Sequence, residues 1–476
     1  MSNILNATDD TYDFAGAYRL KNVRIISSDG KEIDITPVVT QLNLFSSIYS
    51  PFVTGNIAFA DTKNLVDLMP FTGEEMISFN FHTPSTRSVH HIDCTDFPMR
   101  VTRFLVQKAS QRSQVYYIEF ASLEFKRNNR TRSKRPLSGT YSTMVESVLR
   151  NDLKTRKTLY IEPTLFNQKF ISHNVPPATL IQKLADRSIS AKYESSGYLF
   201  YENFHNEFNF RSYTSLMYDA PGVPKQSVII YHEQPETDNE LEKQFRRVKK
   251  FELNRNYDHT LNTREGMYAS KLITHDIHNK TYNEHFFRYD TNFSNTLHIE
   301  PDKTKSNLLA PRSFVDDDNS TLFDQYESRL MVASKSGDAL FSEVDSSGNA
   351  TYPYNDNHVE DTLQTRLSQK RSFENIVLTL TVHGNCALRP GQIIEFVYPF
   401  NASGTNEKEY KSELYSGRYV ITKLRHTARA GDDTRHETII ECVKDSLRNQ
   451  LPVNYNNHHT KPKSKNTYTI NTEVNR

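Results

Sequence analysis

The 476-residue sequence has no tryptophan and only three cysteines, Cys94, Cys386 and Cys442, which are scattered along the chain. Three scattered cysteines form no disulfide framework, and such usage fits assembly in a reducing compartment. The first 20 residues contain no basic segment followed by an apolar one, and no apolar run approaches the roughly 18–20 residues that span a bilayer. We therefore expect a soluble protein that is made in a cytoplasm.

Net charge and aliphatic content are also low. The 58 lysines and arginines and the 57 aspartates and glutamates give a net charge of +1, so the overall charge predicts no binding to nucleic acid or to an anionic membrane. Hydrophobic residues make up 36%, and even with the 15 glycines added this is below the roughly 45–50% of a typical compact domain. The 26 tyrosines and 28 phenylalanines are abundant, and such rings either fill β-cores or lie at protein–protein interfaces.

Metal-binding patterns are incomplete. His90, His91 and Cys94, with His82 nearby, come nearest to a cluster. Zinc usually needs four ligands in closed tetrahedral spacing, and the alternation of a strand would place these side chains on both of its faces. The sequence therefore predicts no metal site there.

Two further histidine pairs are weaker candidates. His275 and His278 are three residues apart in a strand-like segment, so they would face opposite sides. His458 and His459 lie in a polar tail, where we expect them to be solvated. Neither pair predicts a ligand set.

Catalytic motifs are missing. The sequence has no glycine-rich phosphate loop ending in GK[ST] and no G-x-S-x-G elbow. Glu74 and Glu75 could suggest a glycosidase, but that reaction needs two carboxyls facing one cleft about 5–10 Å apart, and adjacent strand residues point apart. Following Gly73, Glu74 fits a turn at the start of a strand. We expect no catalytic, cofactor-binding or metal-binding residues, no cofactor and no enzyme activity.

Strand-like alternation dominates residues 15–125, with one short helix expected at 64–69. The candidate strands are residues 23–26, 57–60, 77–81, 97–106 and 115–120. Residues 126–135 then carry six basic side chains: Lys126, Arg127, Arg130, Arg132, Lys134 and Arg135. No aromatic residue interleaves them for base stacking, so we interpret this run as a solvated linker or interface edge, with phosphate contact as the alternative.

The pattern changes after Pro136. Residues 140–153 and 178–188 show helical spacing of apolar side chains, the second helix following Pro176-Pro177. Aromatic-rich strands are expected at 198–204 and 208–213, which completes a small α+β domain ending near residue 222.

Strand signals return in the last part of the chain. The candidate strands are residues 228–231, 248–253, 267–277 and 376–382, with a helix expected at 361–373. Residues 300–358 are polar and suggest an extended insertion, and the Asn-, Thr- and Lys-rich tail from residue 451 is not expected to fold alone.

Both ends of the chain repeat one pattern of strand, turn and strand. It occurs over residues 49–61 and 69–79, and again over 388–396 and 416–426, with Gly73, Pro390-Gly391 and Gly417 at the turns. A chain of this length corresponds to about three domains of ~150 residues. We therefore predict two related β-domains, residues 1–125 and 226–450, an α+β domain at 126–225 between them, and an extended tail at 451–476.

Several segments together carry a family resemblance. They are residues 50–57 with Asp61, 73–75, 144–153, 197–203 with 210–212, 266–270, and 388–391 with 417–421. In this order, over roughly residues 20–445, the chain resembles the central baseplate hub proteins of contractile-tailed bacteriophages, which are related to the base of type VI secretion spike proteins. No counterpart is identified for residues 300–358 or for the tail.

The resemblance implies a fold and a function. The fold would be α+β, mainly β, with two homologous β-barrel-like tube domains and a small α+β connecting domain. Three subunits would form a pseudo-sixfold ring that joins a hexameric tail tube to a trimeric spike. Implied partners are the chain itself, the tube protein, the spike protein and other baseplate proteins, with no membrane and with DNA only passing through the lumen. The location would be the virion tail baseplate, after assembly in the host cytoplasm.

An envelope-degrading or carbohydrate-binding spike component is the alternative function. Its sugar platform would be the aromatic segment of residues 198–213. A platform needs exposed rings, whereas the hub hypothesis expects Tyr198, Phe200 and Phe204 to be buried, so their exposure discriminates between the two.

Overall fold

The computed structural model describes residues 15–61, 72–83, 90–108, 114–217, 229–232, 244–256, 258–276, 280–299, 328–335, 343–344, 350–351, 357–398, 412, 414–431 and 435–447. The described part of the chain is mainly β, with helices interspersed, as the sequence predicts. The helix expected at 64–69, His278, His458, His459, the tail at 451–476 and most of the insertion at 300–358 lie outside these residues.

Eight strands occupy the first part of the chain. They are β1 (Arg19–Ile26), β2 (Glu32–Asp34), β3 (Val39–Ser47), β4 (Thr54–Asp61), β5 (Met76–Thr83), β6 (His90–Asp93), β7 (Met99–Lys108) and β8 (Gln114–Ala121). Alternation of apolar and polar residues places one face of most of these strands in the core. The five predicted strands all exist, and β3 is a strand that the sequence analysis missed.

A mixed segment follows. Its elements are α1 (Leu123–Arg130), β9 (Pro136–Thr140), α2 (Tyr141–Ser147), β10 (Thr158–Ile161), β11 (Asn167–Ile171), α3 (Pro177–Ala185), β12 (Tyr198–Asn203), β13 (Glu207–Ser212) and α4 (Tyr213–Met217). Helix α2 continues into a π-helical turn (Val148–Asp152). The Thr140 side chain caps α2 by accepting from the Thr143 N–H, and Pro177 opens α3, where its missing N–H costs nothing. Both predicted helices are confirmed.

The last part of the chain returns to strands. Its elements are β14 (Ile229–His232), β15 (Val248–Asn256), α5 (His259–Arg264), β16 (Ala269–Asp276), β17 (Thr281–Arg288), α6 (Tyr289–Asn295), β18 (Leu330–Ser334), β19 (Glu343–Val344), β20 (Ala350–Thr351), α7 (Val359–Phe373), β21 (Ile376–His383), β22 (Ile393–Val397), β23 (Gly417–Arg429) and β24 (Arg435–Lys444). Strand β18 falls in the segment expected to be an extended polar insertion, yet it pairs in parallel with β16. The polar segment therefore contributes a strand to this sheet, and its role as an insertion stays a prediction.

One 14-stranded sheet connects the two ends of the chain. Its order is β15-β21-β24-β23-β3-β4-β8-β7-β5-β1-β2, with β6 on β5, β22 on β23 and β14 on β22. Four smaller sheets comprise β10-β13-β12, β9-β11, β17-β16-β18 and β19-β20. No sheet closes on itself within the described ranges, so barrel-like closure stays a prediction.

The main apolar clusters follow the chain order. One lies among β1–β8 and includes Phe79 and Phe120; a second lies in the mixed segment and includes Val145 and Leu180; a third lies among β14–β24 and includes Leu380. All five of these side chains are fully buried, and each such burial contributes about 1.5–3 kcal/mol. Each segment therefore has a core of its own.

Candidate functional site

The two ends of the chain share one strand order. In the first β-unit (β1, β3, β4, β5, β7 and β8) the order is β3-β4-β8-β7-β5-β1, and in the second β-unit (β14, β15 and β21–β24) it is β15-β21-β24-β23-β22-β14. This order matches β3 with β15, β4 with β21, β8 with β24, β7 with β23, β5 with β22 and β1 with β14. The matched strands also follow one another in the same order along the chain. All of these pairings are antiparallel except β14–β22, which is parallel, whereas its equivalent β1–β5 is antiparallel.

A bulge recurs at equivalent places in β7 and β23. Register shifts fall between Val101 and Arg103 and between Ile421 and Lys423. The bulged residue is a threonine in both units. Thr102 Oγ1 donates to the Glu119 carbonyl oxygen at 3.1 Å, and Thr422 Oγ1 donates to the Glu441 carbonyl oxygen at 3.0 Å. The ion pairs of the next residue are Arg103–Glu119 at 3.8 Å and Lys423–Glu441 at 2.9 Å. The bulge, the threonine hydrogen bond and the ion pair therefore recur at equivalent places in both units.

The turns that precede β5 and β22 make a second pair of equivalent hydrogen bonds. The Val101 N–H donates to the Glu75 carbonyl oxygen at 3.1 Å, and the Ile421 N–H donates to the Gln392 carbonyl oxygen at 2.9 Å. Sequence spacing alone did not align these residues, because the loops between the strands differ in length.

Strands β3 and β23 form the junction between the two β-units. They pair antiparallel from Gln41 opposite Arg429 to Ser47 opposite Lys423. Within this pairing the Arg425 guanidinium lies 5.5 Å from the centre of the Phe45 ring. The junction makes the units neighbours within one continuous sheet.

A buried polar cluster lies beside the junction. Thr83 Oγ1 is 3.2 Å from Cys386 Sγ and 2.8 Å from His436 Nδ1, and His426 Nδ1 is 3.3 Å from His436 Nε2. Burial lowers the pKa of His426 to about 4 and lowers that of His436 well below its usual range, so both rings are neutral at pH 7. Burial raises the pKa of the Cys386 thiol to about 12, which leaves it protonated and a poor nucleophile.

A buried ion cluster fixes the mixed segment to the first β-unit. Lys157 Nζ contacts Glu202 Oε1 and lies 3.2 Å from Glu124 Oε2. The other oxygen of Glu202 accepts from the Val53 N–H at 3.1 Å, and Thr155 Oγ1 donates to Glu124 at 2.7 Å. Burial opposes the charge of Lys157, but the two carboxylates together raise its pKa, so it stays protonated. No local signal in the sequence identifies this cluster.

The residues weighed as metal ligands are only partly brought together. His82 is buried, His91 is exposed, and their ring centroids are 4.7 Å apart. Cys94 is buried, and burial raises the pKa of its thiol to about 12; the His90 side chain lies outside the described part. His275 is exposed on β16. Across the described residues no three histidine, cysteine, aspartate or glutamate side chains form a group that could hold a metal.

Glu74 and Glu75 contact different partners. Glu75 is buried, and its carboxylate accepts from the N–H groups of Thr72 and Gly73 in its own turn. Glu74 pairs with Lys126 at 2.5 Å and Arg130 at 2.6 Å, and hydrogen bonds from these two residues lower the pKa of Glu74. The two carboxylates therefore do not face one cleft.

The basic run is not a linker. Residues Leu123–Arg130 form helix α1, and two basic side chains of this helix pair with Glu74, as described above. Arg127 donates to the carbonyl oxygens of Leu153 and Lys154, and Arg135 lies 3.3 Å from Asp152. Arg132 donates to the Thr131 carbonyl oxygen at 3.3 Å, so five of the six basic side chains bind this chain itself. The linker interpretation overlooked the acidic and carbonyl partners that folding brings to the helix.

The aromatic segment is buried. Tyr198 and Phe200 are 6% and 5% exposed in the core of the mixed segment, and Phe204 is 5% exposed in the core of the first β-unit. A sugar platform requires exposed rings, so this observation contradicts the carbohydrate-binding alternative at these three positions.

A small cavity of about 30 Å³ lies between α6 and α7, with His298, Asp445 and Phe293 in its lining. It has room for about one or two waters, and ligand pockets are usually about 300–1,000 Å³. Among the described helices, none is long and apolar enough to cross a membrane.

These observations define the class of architecture: a mainly β chain with a repeated strand order at its two ends, joined edge to edge, and a small mixed segment between them. The chain matches no protein-family model and no curated protein sequence. Its fold is similar to that of the tail protein from Neisseria meningitidis MC58, with TM-score 0.50, 10% identity, and coverage of 90% of this chain and 97% of that one. The resemblance to phage tail proteins thus extends to the fold, and the expectation of a mainly β chain is confirmed.

Two more solved structures align over most of their lengths. The 43 kDa tail protein of prophage MuSo2 from Shewanella oneidensis has TM-score 0.49, 8% identity, and coverage of 90% of this chain and 99% of that one. A type VI secretion system component from E. coli has TM-score 0.41, 10% identity, and coverage of 91% and 78%.

Proposed function

We propose that this chain is a non-enzymatic structural component of a phage-type tail, a baseplate hub that joins the tail tube to the central spike. One observation carries the proposal: two β-units with one strand order, joined edge to edge by β3 and β23. A chain that carries two similar units can present 2n similar units from n copies. Three copies would match a hexameric tube on one side and a trimeric spike on the other.

The proposed division of the chain follows the three cores. The first tube domain covers residues 1–125, the connecting α+β domain residues 126–225, and the second tube domain residues 226–450, with residues 451–476 as a tail. The separate apolar clusters and the buried ion cluster of Lys157 support this division. Closure of each tube domain into a barrel-like unit belongs to the same proposal.

A structural role is favoured over catalysis by the side chains themselves. The buried cysteine at the junction is protonated, and the two adjacent glutamates have separate partners. The similarity in fold to a tail protein also supports a structural role.

Native mass spectrometry of the purified 55.2-kDa chain, alone and with its cognate tube and spike proteins, tests the proposal. We expect a homotrimer that binds a tube hexamer and a spike trimer at the same time. A particle reconstruction with six copies, or one copy, in the ring would contradict the trimer. Hydrolysis of cell-envelope polysaccharide by the purified chain would contradict the non-enzymatic role.

A further inference from the structure

Positive charge is concentrated in one stretch of a chain that is nearly neutral overall. Residues 123–157 contain ten lysines and arginines but three aspartates and glutamates, whereas the whole chain has 58 and 57. The structure describes all of this stretch, from helix α1 to the segment before β10. At physiological ionic strength salt screens exposed charges beyond about 8 Å, so this excess acts on a molecule in contact and not at long range.

Four cations surround one carboxylate beside α1. Lys126 Nζ lies 2.5 Å from Glu74 Oε2, and Arg130 Nη2 lies 2.6 Å from Glu74 Oε1. Arg100, near the start of β7, belongs to the same group: burial lowers its pKa, and the charges of Arg127 and Arg130 lower it further against the opposing effect of the carboxylate. Arg130 is exposed and the other three cations are partly exposed, so a partner can reach them. These four cations and Glu74 are called the cationic cluster below.

Internal hydrogen bonds hold part of the cationic cluster without neutralising its charge. Arg127 donates to the carbonyl oxygens of Leu153 and Lys154, and a carbonyl oxygen carries no net charge. Arg100 Nε has no hydrogen-bond partner among the described residues. In the same part of the chain neither Arg100 nor Arg127 forms an ion pair with a carboxylate. The fold therefore leaves the charges of these two guanidinium groups uncompensated.

We propose that the cationic cluster binds an acidic segment of a partner protein, with a carboxylate of the partner bound by Arg100 and Arg127 beside Glu74. Glu74 shows the same chemistry within the chain, because a lysine and an arginine donate to its carboxylate. Guanidinium groups bind carboxylates through charge-assisted and frequently bidentate hydrogen bonds. Four cations face one carboxylate, so about three further carboxylates would neutralise the cluster. This inference goes beyond the proposed function, since it does not depend on a ring or on the number of copies.

An acidic protein segment fits this surface better than a nucleic acid does. Residues 126–135 contain no aromatic side chain on which a base could stack. Phe125, which precedes them, packs edge-on against Phe52 with ring centroids 5.9 Å apart. The net charge of +1 for the whole chain gives no long-range attraction for a polyanion such as DNA. A segment with a few carboxylates needs only the local charge, and binding of nucleic acid is a competing outcome of the test.

Stabilisation of helix α1 is the simpler role for two of these cations. Arg127 and Arg130 lie in the last turn of α1, where positive charge interacts favourably with the helix dipole. That role does not involve Arg100, which lies on β7. It also predicts that replacing Glu74 leaves the affinity for an acidic peptide unchanged, whereas a binding surface should respond to the loss of its internal carboxylate.

Fluorescence anisotropy of a labelled octaglutamate peptide, titrated with the full chain, measures the proposed contact. We expect binding that weakens as the salt concentration increases, because salt screens the charges, and we expect no binding of an octaglutamine peptide. Glu74→Gln should strengthen the binding of octaglutamate roughly fivefold, the upper range for one exposed ion pair, because it frees Lys126 and Arg130 for the peptide.

A double variant tests the surface in the opposite direction. Arg100→Gln/Arg130→Gln should weaken the binding of octaglutamate roughly tenfold, because the cluster loses two of its cations. Arg24→Gln/Lys31→Gln is the matched control: it removes two exposed cations that pair with other carboxylates of the first part of the chain, and it should leave the affinity unchanged. The melting temperature of each variant establishes that it is folded, and Glu74→Gln keeps the test decisive if the double variant is not.

Three results would overturn the inference. They are a lack of octaglutamate binding by both the parent chain and Glu74→Gln, equal affinities of the double variant and its control, and tighter binding of an oligothymidylate of the same length, which would assign the cluster to nucleic acid. The proposed function is tested separately. A homotrimer by native mass spectrometry that binds no octaglutamate overturns the acidic contact and retains the hub, whereas a monomer that binds the peptide as described supports the contact and contradicts the hub.

Discussion

Two residues are under strong local constraints: Gly417 through its backbone conformation and Lys157 through its buried charge. Gly417, which the sequence analysis places at a turn, has φ +129° at the start of β23. The turn chemistry was readable from the sequence because glycine beside an alternating strand is a local signal. The buried ion cluster of Lys157 was not readable, because its partners come from residues 33 and 45 positions away.

Gly417→Val should destabilise the chain by about 1–3 kcal/mol, because a β-branched residue is strained at positive φ. Urea unfolding followed by circular dichroism measures the change. Arg418→Val is the matched control; it adds the same side chain at the next strand position and should alter stability by less than ~0.5 kcal/mol. Equal effects of the two variants would argue against backbone strain.

Lys157→Met should cost about 3–5 kcal/mol, because it leaves the buried carboxylates of Glu124 and Glu202 without their cation. The triple variant Lys157→Met/Glu124→Gln/Glu202→Gln removes the charges together and should recover a large part of the loss. Urea unfolding at pH 7 compares the two variants. If the single variant lost less than ~1 kcal/mol, the ion cluster would not be the fixed contact described here.

Strands and helices were predictable where apolar residues recur at regular spacing. Alternation identified β1, β4, β5, β7 and β8, and apolar spacing identified α2, α3 and α7. Strand β3 was missed because polar residues interrupt its apolar ones: Leu42 and Leu44 are buried on one face, and Asn43 is buried on the other, where it donates to Asn56 at 2.8 Å. A polar residue that is buried through a partner on another strand has no local signature.

The pairing of β3 with β23 at the junction could not be predicted from the sequence. Its strands lie more than 370 residues apart, and only folding brings Arg425 beside Phe45. The expectation of two similar β-units needed only local turn chemistry, but their edge-to-edge pairing is a long-range contact.

The matched bulges allow a comparison of equivalent elements. Thr422 is fully buried and Thr102 is exposed, although both donate to a glutamate carbonyl oxygen. Thr422→Val should therefore cost about 1 kcal/mol, the usual net value of a buried hydrogen bond, while Thr102→Val costs less than ~0.5 kcal/mol in the free chain. Differential scanning calorimetry of the two variants provides the measurement. A larger loss for Thr102→Val would contradict the assignment of Thr102 as the exposed equivalent of Thr422.

The complete chain depends on contacts between segments that the sequence keeps far apart, and the buried histidines beside the junction make those contacts sensitive to pH. His426 and His436 come from the second β-unit, and Thr83, which binds His436, comes from the first. Their pKa values are lowered by burial, so below pH ~6.5 the unfolded chain binds more protons than the folded chain. Stability is therefore fully present above pH ~6.5 and falls as the pH drops toward 4.

His298 acts with the opposite sign. Burial opposes its charge, but Asp445 raises the pKa of His298, so its stabilising contribution is complete in acid and is lost as the pH rises. It therefore cannot produce a loss of stability between pH 6.5 and pH 4.

His426→Asn should flatten the fall in melting temperature between pH 6.5 and pH 4, because it removes one buried group that must gain a proton and relieves the charge repulsion that opposes protonation of His436. His275→Asn, at an exposed position on β16, is the control and should keep the slope of the parent chain. Melting temperatures across this range, measured at constant ionic strength, decide the matter. Parallel profiles for the parent chain and His426→Asn would mean that protonation of His426 does not set the response of the folded chain to acid.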